Sequence, residues 1–552
     1  MLVVGAGPTG LVASLLLERQ GVETLLVERR DGAQGAPAAH VVNARSFEIC
    51  RAAGVDAAAI RAAAKPPEDA GYAYWVTRLG GEVIGRLPFE CQGEDQLDLT
   101  PTPLRNLSQN RFEPILADAL GKAGREPRFG MQWEGSEADG ASVVSRVRDL
   151  ASDVVHEVRS RYVVGADGAA SRVRKSLGIE VVGPDRIQSF VMVHFRAVLR
   201  GIPEVPPGVL FFVCDPEAGG GAFVIHDLDS EAVFMHPFDP DAESPDDYDA
   251  ARCEALVRGA LAQDDLPLEV ATIGSWTMTA QVAERYRAGR LFLAGDAAHR
   301  FPPTGGLGLN SGVQDAHNLA WKLAVVLDGL APESLLDSYE RERRPIARQN
   351  ADQSLKNALK MVQVSQALGV TDLGAESAAR LRAVLSDPEA RAKAADAVAD
   401  QAEHFDMPGL QLGFGYAEGA LVRDDEPVPE IAPRVFTPSG RPGSRLPHVW
   451  LGDPEDDVSL LDRIPLDAFA LVTGPDAGGW REAAAAIEGL RVVPLSRERA
   501  TGLDVWLQRA GIAADGALLV RPDQHVAWRA RGASANAARE LAEAWATVRR
   551  GG

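Results

Sequence analysis

Cationic side chains are in short supply. Lys and Arg number 57 against 78 Asp and Glu in 552 residues, a formal charge of −21. A surface of that sign repels nucleic-acid backbones and anionic lipid faces, so neither is an expected partner. It also repels an anionic dinucleotide co-substrate, and a nicotinamide site would need its own arginines. Cysteine is scarcer: Cys50, Cys91, Cys214 and Cys253 are widely spaced, with no CxxC pair. That argues against a disulfide framework and against a metal site, and for reduced thiols in a cytoplasmic setting. No apolar run approaches the roughly 20 residues that cross a bilayer. No basic stretch with a cleavable apolar segment opens the chain, and no repeat of solenoid period is visible.

What is present is apolar bulk cut by glycine. With 46% hydrophobic residues, a chain of this length can fill two or three separate cores. Residues 1–30 read as strand, glycine turn, helix (Leu11 to Gln20) and strand. Helices are expected near 44–53 and 109–123, strands over 72–89, and a hairpin within 143–158. From 186 to 275 the pattern changes to alternating apolar runs between Gly/Pro/Asp turns, a mainly antiparallel sheet placed to cover a pocket. The α/β pattern returns at Arg290–Ala294, followed by a helix from Leu309 to Leu327. Residues 333–405 read as polar, alanine-rich helices, of which Ala378–Phe405 resembles a solvated connector, and dense Pro/Gly punctuation from 427 to 447 marks a boundary. The expected division is an α/β, Rossmann-like domain from 1–70, 105–185 and 276–400. A sheet domain comes from 71–104 and 186–275, and a small α/β domain from 425–552.

Three motifs carry chemistry. Gly5-x-Gly7-x-x-Gly10, with Pro8 and Thr9 inside it, sits between a strand and a helix. Such a turn brings backbone amides and the helix dipole to a diphosphate, and Glu28 ends the next strand where ribose hydroxyls would lie. Almost three hundred residues later, Leu291-Phe-Leu-Ala-Gly-Asp296 is a strand ending in a carboxylate. Pro302-Pro303-Thr-Gly-Gly-Leu-Gly308 then presents bare amides at a helix start, suited to the negative charge of a reduced flavin. Two such stretches point to the two ends of FAD. Between them, Tyr162-Val-Val-Gly-Ala-Asp167-Gly is a third strand–acid turn. On its own it equally well starts a helix, with Ser171 as N-cap.

In this order and at these separations the motifs resemble the single-component flavoprotein aromatic hydroxylases of the para-hydroxybenzoate hydroxylase class. Pro303-Thr-Gly-Gly-Leu-Gly-Leu-Asn310 and Gln314-Asp-Ala-His-Asn-Leu-Ala-Trp-Lys-Leu-Ala324 are most similar to phenol hydroxylases and polyketide-tailoring hydroxylases. Pro442–Trp450 and Leu519–Arg529 resemble the thioredoxin-like C-terminal domain of that subgroup. It holds no cysteine here, which leaves a structural or association role, including a homodimer.

The resemblance implies that Gly5, Gly7, Pro8, Thr9, Gly10, Glu28 and Arg29 hold the ADP half of FAD. Arg45 and Gln109 fall where relatives touch the cofactor, although Arg45 also reads as an ordinary exposed helix residue. Asp167 would lie near the flavin, Arg172 would meet NADPH phosphates, and Asp296 would bind the ribityl chain. Pro303, Gly306, Leu307, Gly308, Leu309 and Asn310 would hold the isoalloxazine. Pro303, Gly305 and Gly306 would supply the electrostatic part of catalysis. His299 reads as structural. NADPH or NADH would reduce FAD, and O2 would give a C4a-hydroperoxide that an electron-rich ring attacks. Phe211, Phe223, His226, Met235 and Trp276 are the candidate substrate wall, with His226, His236, Tyr72 and Tyr74 as candidate bases. Baeyer–Villiger oxygenation of a polyketide and a non-catalytic flavoprotein remain the rival readings.

Overall fold

Short β-branched runs joined by glycine turns build the first layer. The computed structural model describes residues 1–89, 92–202, 205–263, 265–452 and 458–552, so Cys91 lies outside the described residues. Five strands lie in the order Arg287–Ala288, Leu291–Leu293, Val163–Gly165, Leu2–Val4, Leu25–Val27. The last four are parallel, with Leu2 beside Val163 and Val163 beside Leu291. The turns of all three motifs therefore follow neighbouring parallel strands at the same end of a single sheet, the end at which open α/β sheets take ligands. The first helix runs over Pro8–Arg19 and starts earlier than its apolar pattern implies. Proline fits a first helical position because its missing N–H is not needed there.

The long helix, Leu307–Leu327, is buried almost throughout. Its apolar residues Val313, Ala316, Leu319, Ala320 and Leu323 join the core under the sheet. Its buried polar residues need partners, since an unpaired buried charge costs several kcal/mol. Asp315 pairs with Arg343, and Lys322 pairs with Glu342, which also takes Arg521 from the C-terminal domain.

The second layer is a seven-stranded sheet. Its order is Glu269–Met278, Gln188–Arg196, Glu231–Phe238, Gly221–Asp227, Leu210–Val213, Tyr72–Val76, Val83–Pro88. Every pair is antiparallel except Leu210–Val213 with Tyr72–Val76. One face packs Phe195, Phe211, Phe223 and Phe234 against the helix Ala250–Leu261. The other packs Trp75, Leu210, Val224 and Val233 with Val41, Leu381, Val398 and Phe405. The helices Ala375–Ser386 and Pro388–Ala399 therefore cover this sheet, where solvated connectors were expected. Each fully buried Leu, Val or Phe of that seam contributes ~1.5–3 kcal/mol.

The C-terminal sheet has the order Leu490–Pro494, Phe469–Thr473, Ala517–Val520, Val526–Ala530, its first pair parallel and the rest antiparallel. With helices Gly478–Ala484, Leu503–Ala510 and Ala537–Arg550 this is a βαβαββα unit. Among the described residues no helix is long and apolar enough to cross a membrane.

Candidate active site

Two glycines of the N-terminal turn are demanded by the protein itself. Gly5 has φ +101°, and a Cβ there would overlap the Ala166 carbonyl; a Cβ on Gly10 would overlap the Gly5 carbonyl. Gly7 differs. A methyl there would meet nothing closer than Glu113 Oε1 at 4.0 Å. Gly7 is the N-cap of the first helix and no side chain caps that end. The bare position leaves the helix amides open to an anion.

Glu28 closes the turn: Oε2 accepts from the Ala6 amide at 2.8 Å and Oε1 from the Arg30 amide at 2.9 Å. Burial raises its carboxyl, but those two amides and the Arg30 guanidinium reverse the shift and hold it below its ordinary range. Gln109 Nε2 donates to Glu113 Oε1 at 2.7 Å, so the first residue of the helix Gln109–Lys122 stands on the same rim. Arg29 is exposed beside it.

Thr9 joins the distant motifs. Its side chain fills a notch between Gly295 and Gly312, where a Cβ on either would collide with Thr9 Oγ1. The N-terminal turn and the Gly295–Asn310 stretch are thus in direct contact. Asp296 is exposed, between the buried Gly295 and Ala297. Burial raises its carboxyl above the usual range, with His299 and Arg300 pulling the other way, and no hydrogen bond reaches it among the described residues. His299 is fully enclosed: Nε2 meets Asp315 Oδ2 at 2.6 Å, and Arg343 Nε donates to Asp315 Oδ1 at 2.8 Å.

Gly305 and Gly306 have φ +117° and +63°, and a Cβ on Gly306 would lie 2.8 Å from Val41 Cβ. Pro303 is exposed, Leu307 buried and Leu309 half-buried. A Cβ on Gly308 would meet no protein atom within 4 Å. Gly306 caps the long helix with backbone alone.

Three predicted cofactor residues have their polar atoms engaged elsewhere. Asn310 Nδ2 donates to the carbonyls of Val41 and Gly306 at 2.9 and 2.6 Å, while Oδ1 accepts from the Asn43 amide and Ser46 Oγ. Its side chain stitches the loop to the segment before Ala44. Asp167 accepts from Ser171 Oγ and the amides of Arg172 and Val173, and so caps a short helix. Arg172 itself is exposed. Arg45 is buried and donates to Glu48, Gln524 and the Asp523 carbonyl, which makes it a tie to the C-terminal domain and not a surface residue.

A cleft open to solvent has Pro303, Gly305 and Gly306 as one wall. The others come from His40, Val41, Phe89, Leu104 and Leu210, and from His404, Phe405, Met407 and Gln411. None of the five predicted wall residues lines it. Phe211 and Phe223 point to the opposite face, where Phe211 stacks on Tyr74 at 5.0 Å. Met235 lies on the same face of the sheet as Leu210 but under the packing around it. Trp276 stacks on Phe190 at the far edge, four strands from Leu210. His226 lies behind His40 in a smaller pocket that also holds Lys65, Ser108 and Arg111. His236 and Tyr74 pack on the helix-covered face, and Tyr72 is exposed.

The polar groups of the cleft that sequence reasoning missed are His40, His404 and Gln411. Burial pushes His40 down to about 4, with Lys65 adding to it and Asn106 opposing. Burial, helped by His40, pushes His404 down to about 3. Both imidazoles are therefore neutral at pH 7. Neither sits in a recognisable motif: one lies in a loop, the other in an alanine-rich helical stretch.

The sequence model of the FAD binding domain family matches residues 1–354, and that of the aromatic-ring hydroxylase C-terminal family matches residues 439–548. The chain belongs to the FAD-dependent aromatic-ring hydroxylases. This hydroxylase is 34% identical to a 2,4-dichlorophenol 6-monooxygenase of Cupriavidus pinatubonensis, over 99% of the chain and 95% of the relative. It is 36% identical to the aklavinone 12-hydroxylase RdmE of Streptomyces purpurascens, over 98% and 97%. The flavin-dependent monooxygenase PieE, solved with FAD and substrate, superposes with a TM-score of 0.91 at 34% identity, covering 99% and 98% of the two chains. The hydroxylase is a flavin monooxygenase, and its residues fit FAD. Gly7 and Gly308 leave room that no protein atom uses, two helix N-termini lack side-chain caps, and Asp296 offers an unpaired carboxylate.

Proposed function

We propose that the protein hydroxylates a phenolic or polycyclic aromatic compound of polyketide type, using O2 and either NADPH or NADH. The reading is carried by one observation: the glycine loop Pro303–Gly306 is itself a wall of a cleft whose other walls, Phe89, Leu104, Leu210, Phe405 and Met407 among them, come from the sheet and the connector helices. A ring held there lies against the loop that would carry the flavin.

FAD, when bound, would take up reducing equivalents from the nicotinamide and pass one oxygen atom of O2 to the ring. The chain's own residues do the rest. Gly5, Gly7, Pro8, Thr9 and Gly10 would seat the diphosphate on the first helix, with Glu28, Arg29 and Gln109 on the adenosine side. Asp296 would accept from a ribityl hydroxyl. Pro303, Gly305 and Gly306, with Leu307, Gly308 and Leu309, would present the positive end of the long helix to charge developing on the cofactor. Asn310, Asp167 and Arg45 would act through the backbone they hold. Phe89, Leu104, Leu210, Phe405 and Met407 would exclude water. His40 and His404, both neutral, would accept a hydrogen bond from a ring hydroxyl and raise the electron density of the ring; His40 Nδ1 is already bonded to Asn106 Oδ1 at 3.0 Å, which leaves Nε2 for that role. Arg172 would meet the nicotinamide phosphates in a field that is otherwise repulsive.

The test is a panel of phenols and hydroxylated polycyclic quinones, scored for ligand-stimulated NADPH and NADH oxidation and for product mass under labelled O2. One class should give consumption coupled to a product heavier by one labelled oxygen on the ring. Oxygen placed between two carbons would mark Baeyer–Villiger chemistry instead. Flavin-bound protein that no ring stimulates would overturn the proposal.

A further inference from the structure

Phe89 and Leu104 both line the cleft, and residues 97–99, shortly before Leu104, lie against the C-terminal domain. Residues 92–104 form no strand; a 3-10 turn, Glu94–Gln96, and local turns are their own internal bonding. Three successive carbonyls of this loop face three different side chains of the C-terminal domain. Trp450 Nε1 donates to Leu97 O at 3.2 Å, Arg509 Nη1 to Asp98 O at 3.1 Å, and Arg445 Nη2 to Leu99 O at 3.1 Å. The next residue, Thr100, donates its hydroxyl to Glu48 Oε1 at 2.6 Å. That carboxylate is also held by Arg445 and Arg45. Past the loop, Arg105–Asn106 pairs with Val41–Val42, the strand that braces Gly306.

Backbone acceptors met by side-chain donors from another domain set a position rather than a chemistry. We propose that the C-terminal domain is a clamp for the substrate cleft. Trp450, Arg509 and Arg445 are positioning residues that fix the 92–104 loop, and through Phe89 and Leu104 they set which rings the cleft accepts. A cysteine-free βαβαββα unit thereby has a use that needs no thiol. The inference rests on the reading that this cleft takes the aromatic substrate.

The experiment uses the full-length, FAD-loaded protein and two probes of different size, 2-naphthol and 1,8-dihydroxyanthraquinone. In the Trp450→Phe/Arg509→Met variant an aromatic ring and an unbranched stem stay while two donors go, and the buried Arg445–Glu48 pair is untouched. Amide hydrogen exchange of peptides spanning 92–104, measured without substrate, should rise about tenfold, the scale of one to two lost hydrogen bonds. KM should rise about three- to tenfold, by different factors for the two probes, with kcat and FAD content nearly constant. Arg509→Lys, which keeps a donor, should behave as the parent. Unchanged exchange in 92–104 would refute the clamp. Faster exchange with unchanged KM values and an unchanged ratio between probes would refute its control of selectivity. If neither probe stimulates the parent enzyme, the cleft is not serving these rings and the selectivity part falls with that reading, while the exchange result still judges the clamp.

Discussion

Gly7 and Gly10 differ by three positions, and replacing each with alanine should have opposite consequences. At Gly7 the backbone is extended, φ −73° and ψ 179°, which alanine adopts freely, and the nearest protein atom would be 4.0 Å away. Losing glycine's freedom in the unfolded chain stabilises by about 0.4–1 kcal/mol. Alanine is a poorer N-cap by a similar amount, so the two effects offset and apoprotein stability should move by less than about 1 kcal/mol. The methyl would nonetheless stand where the diphosphate meets the helix amides. Losing one or two charge-assisted hydrogen bonds at about 1.5–3 kcal/mol each weakens FAD binding by about ten- to a thousandfold or more. At Gly10 the methyl would overlap the Gly5 carbonyl, and rigid backbone must shift. That costs about 1–3 kcal/mol or more before any ligand is considered. Apoprotein melting and titration of apoprotein with FAD, followed by flavin fluorescence, measure both quantities. A Gly7→Ala protein that binds FAD as the parent does, or whose apoprotein is as unstable as Gly10→Ala, would refute the assignment of that turn.

Asp296→Ala should purify colourless, because an exposed carboxylate with no hydrogen-bond partner among the described residues is worth about 1.5–3 kcal/mol to a hydroxyl it accepts from; a yellow, fully active variant would count against it. The imidazoles of His40 and His404 are pushed down from 6.5 to about 4 and about 3. The unfolded chain thus binds protons that the folded one refuses as pH falls below 6.5, and stability present above that pH is lost toward pH 4. The His40→Gln/His404→Gln protein should show a flatter melting temperature across that window, and parallel curves would contradict the burial argument. Glu48→Gln strands Arg45 and Arg445, both fully enclosed, and should destabilise by about 3–5 kcal/mol in denaturant titration. Glu48→Met combined with Arg445→Met should cost less than the sum of the two single changes, and simple additivity would show the groups to be independent.

The dinucleotide turn was legible because its code is local. Gly5 and Gly10 report close backbone approach within one strand–turn–helix, and their spacing survives in any fold that uses it. The same holds for the glycine loop ahead of the long helix, for the alternation that announced an antiparallel sheet, and for the strand and helix order of the C-terminal unit. Asp167 shows the limit of such codes, since a strand–acid turn that meets a ligand and one that caps a helix are written alike. Which residues wall the cleft was not legible, for a reason of symmetry. Strands such as Leu210–Val213 are buried on both faces, so no polar residue tells one face from the other, and Leu210 and Phe211 are equally plausible until a helix covers one side. His40 and His404 became neighbours only when the connector helices folded over the sheet. The grip of Trp450, Arg509 and Arg445 on the 92–104 loop ends on carbonyl oxygens, which every residue possesses. Chemistry that depends on residue type was therefore decided by sequence, whereas the cleft, its histidines and its clamp depend on which backbones meet, and only tertiary packing decides that.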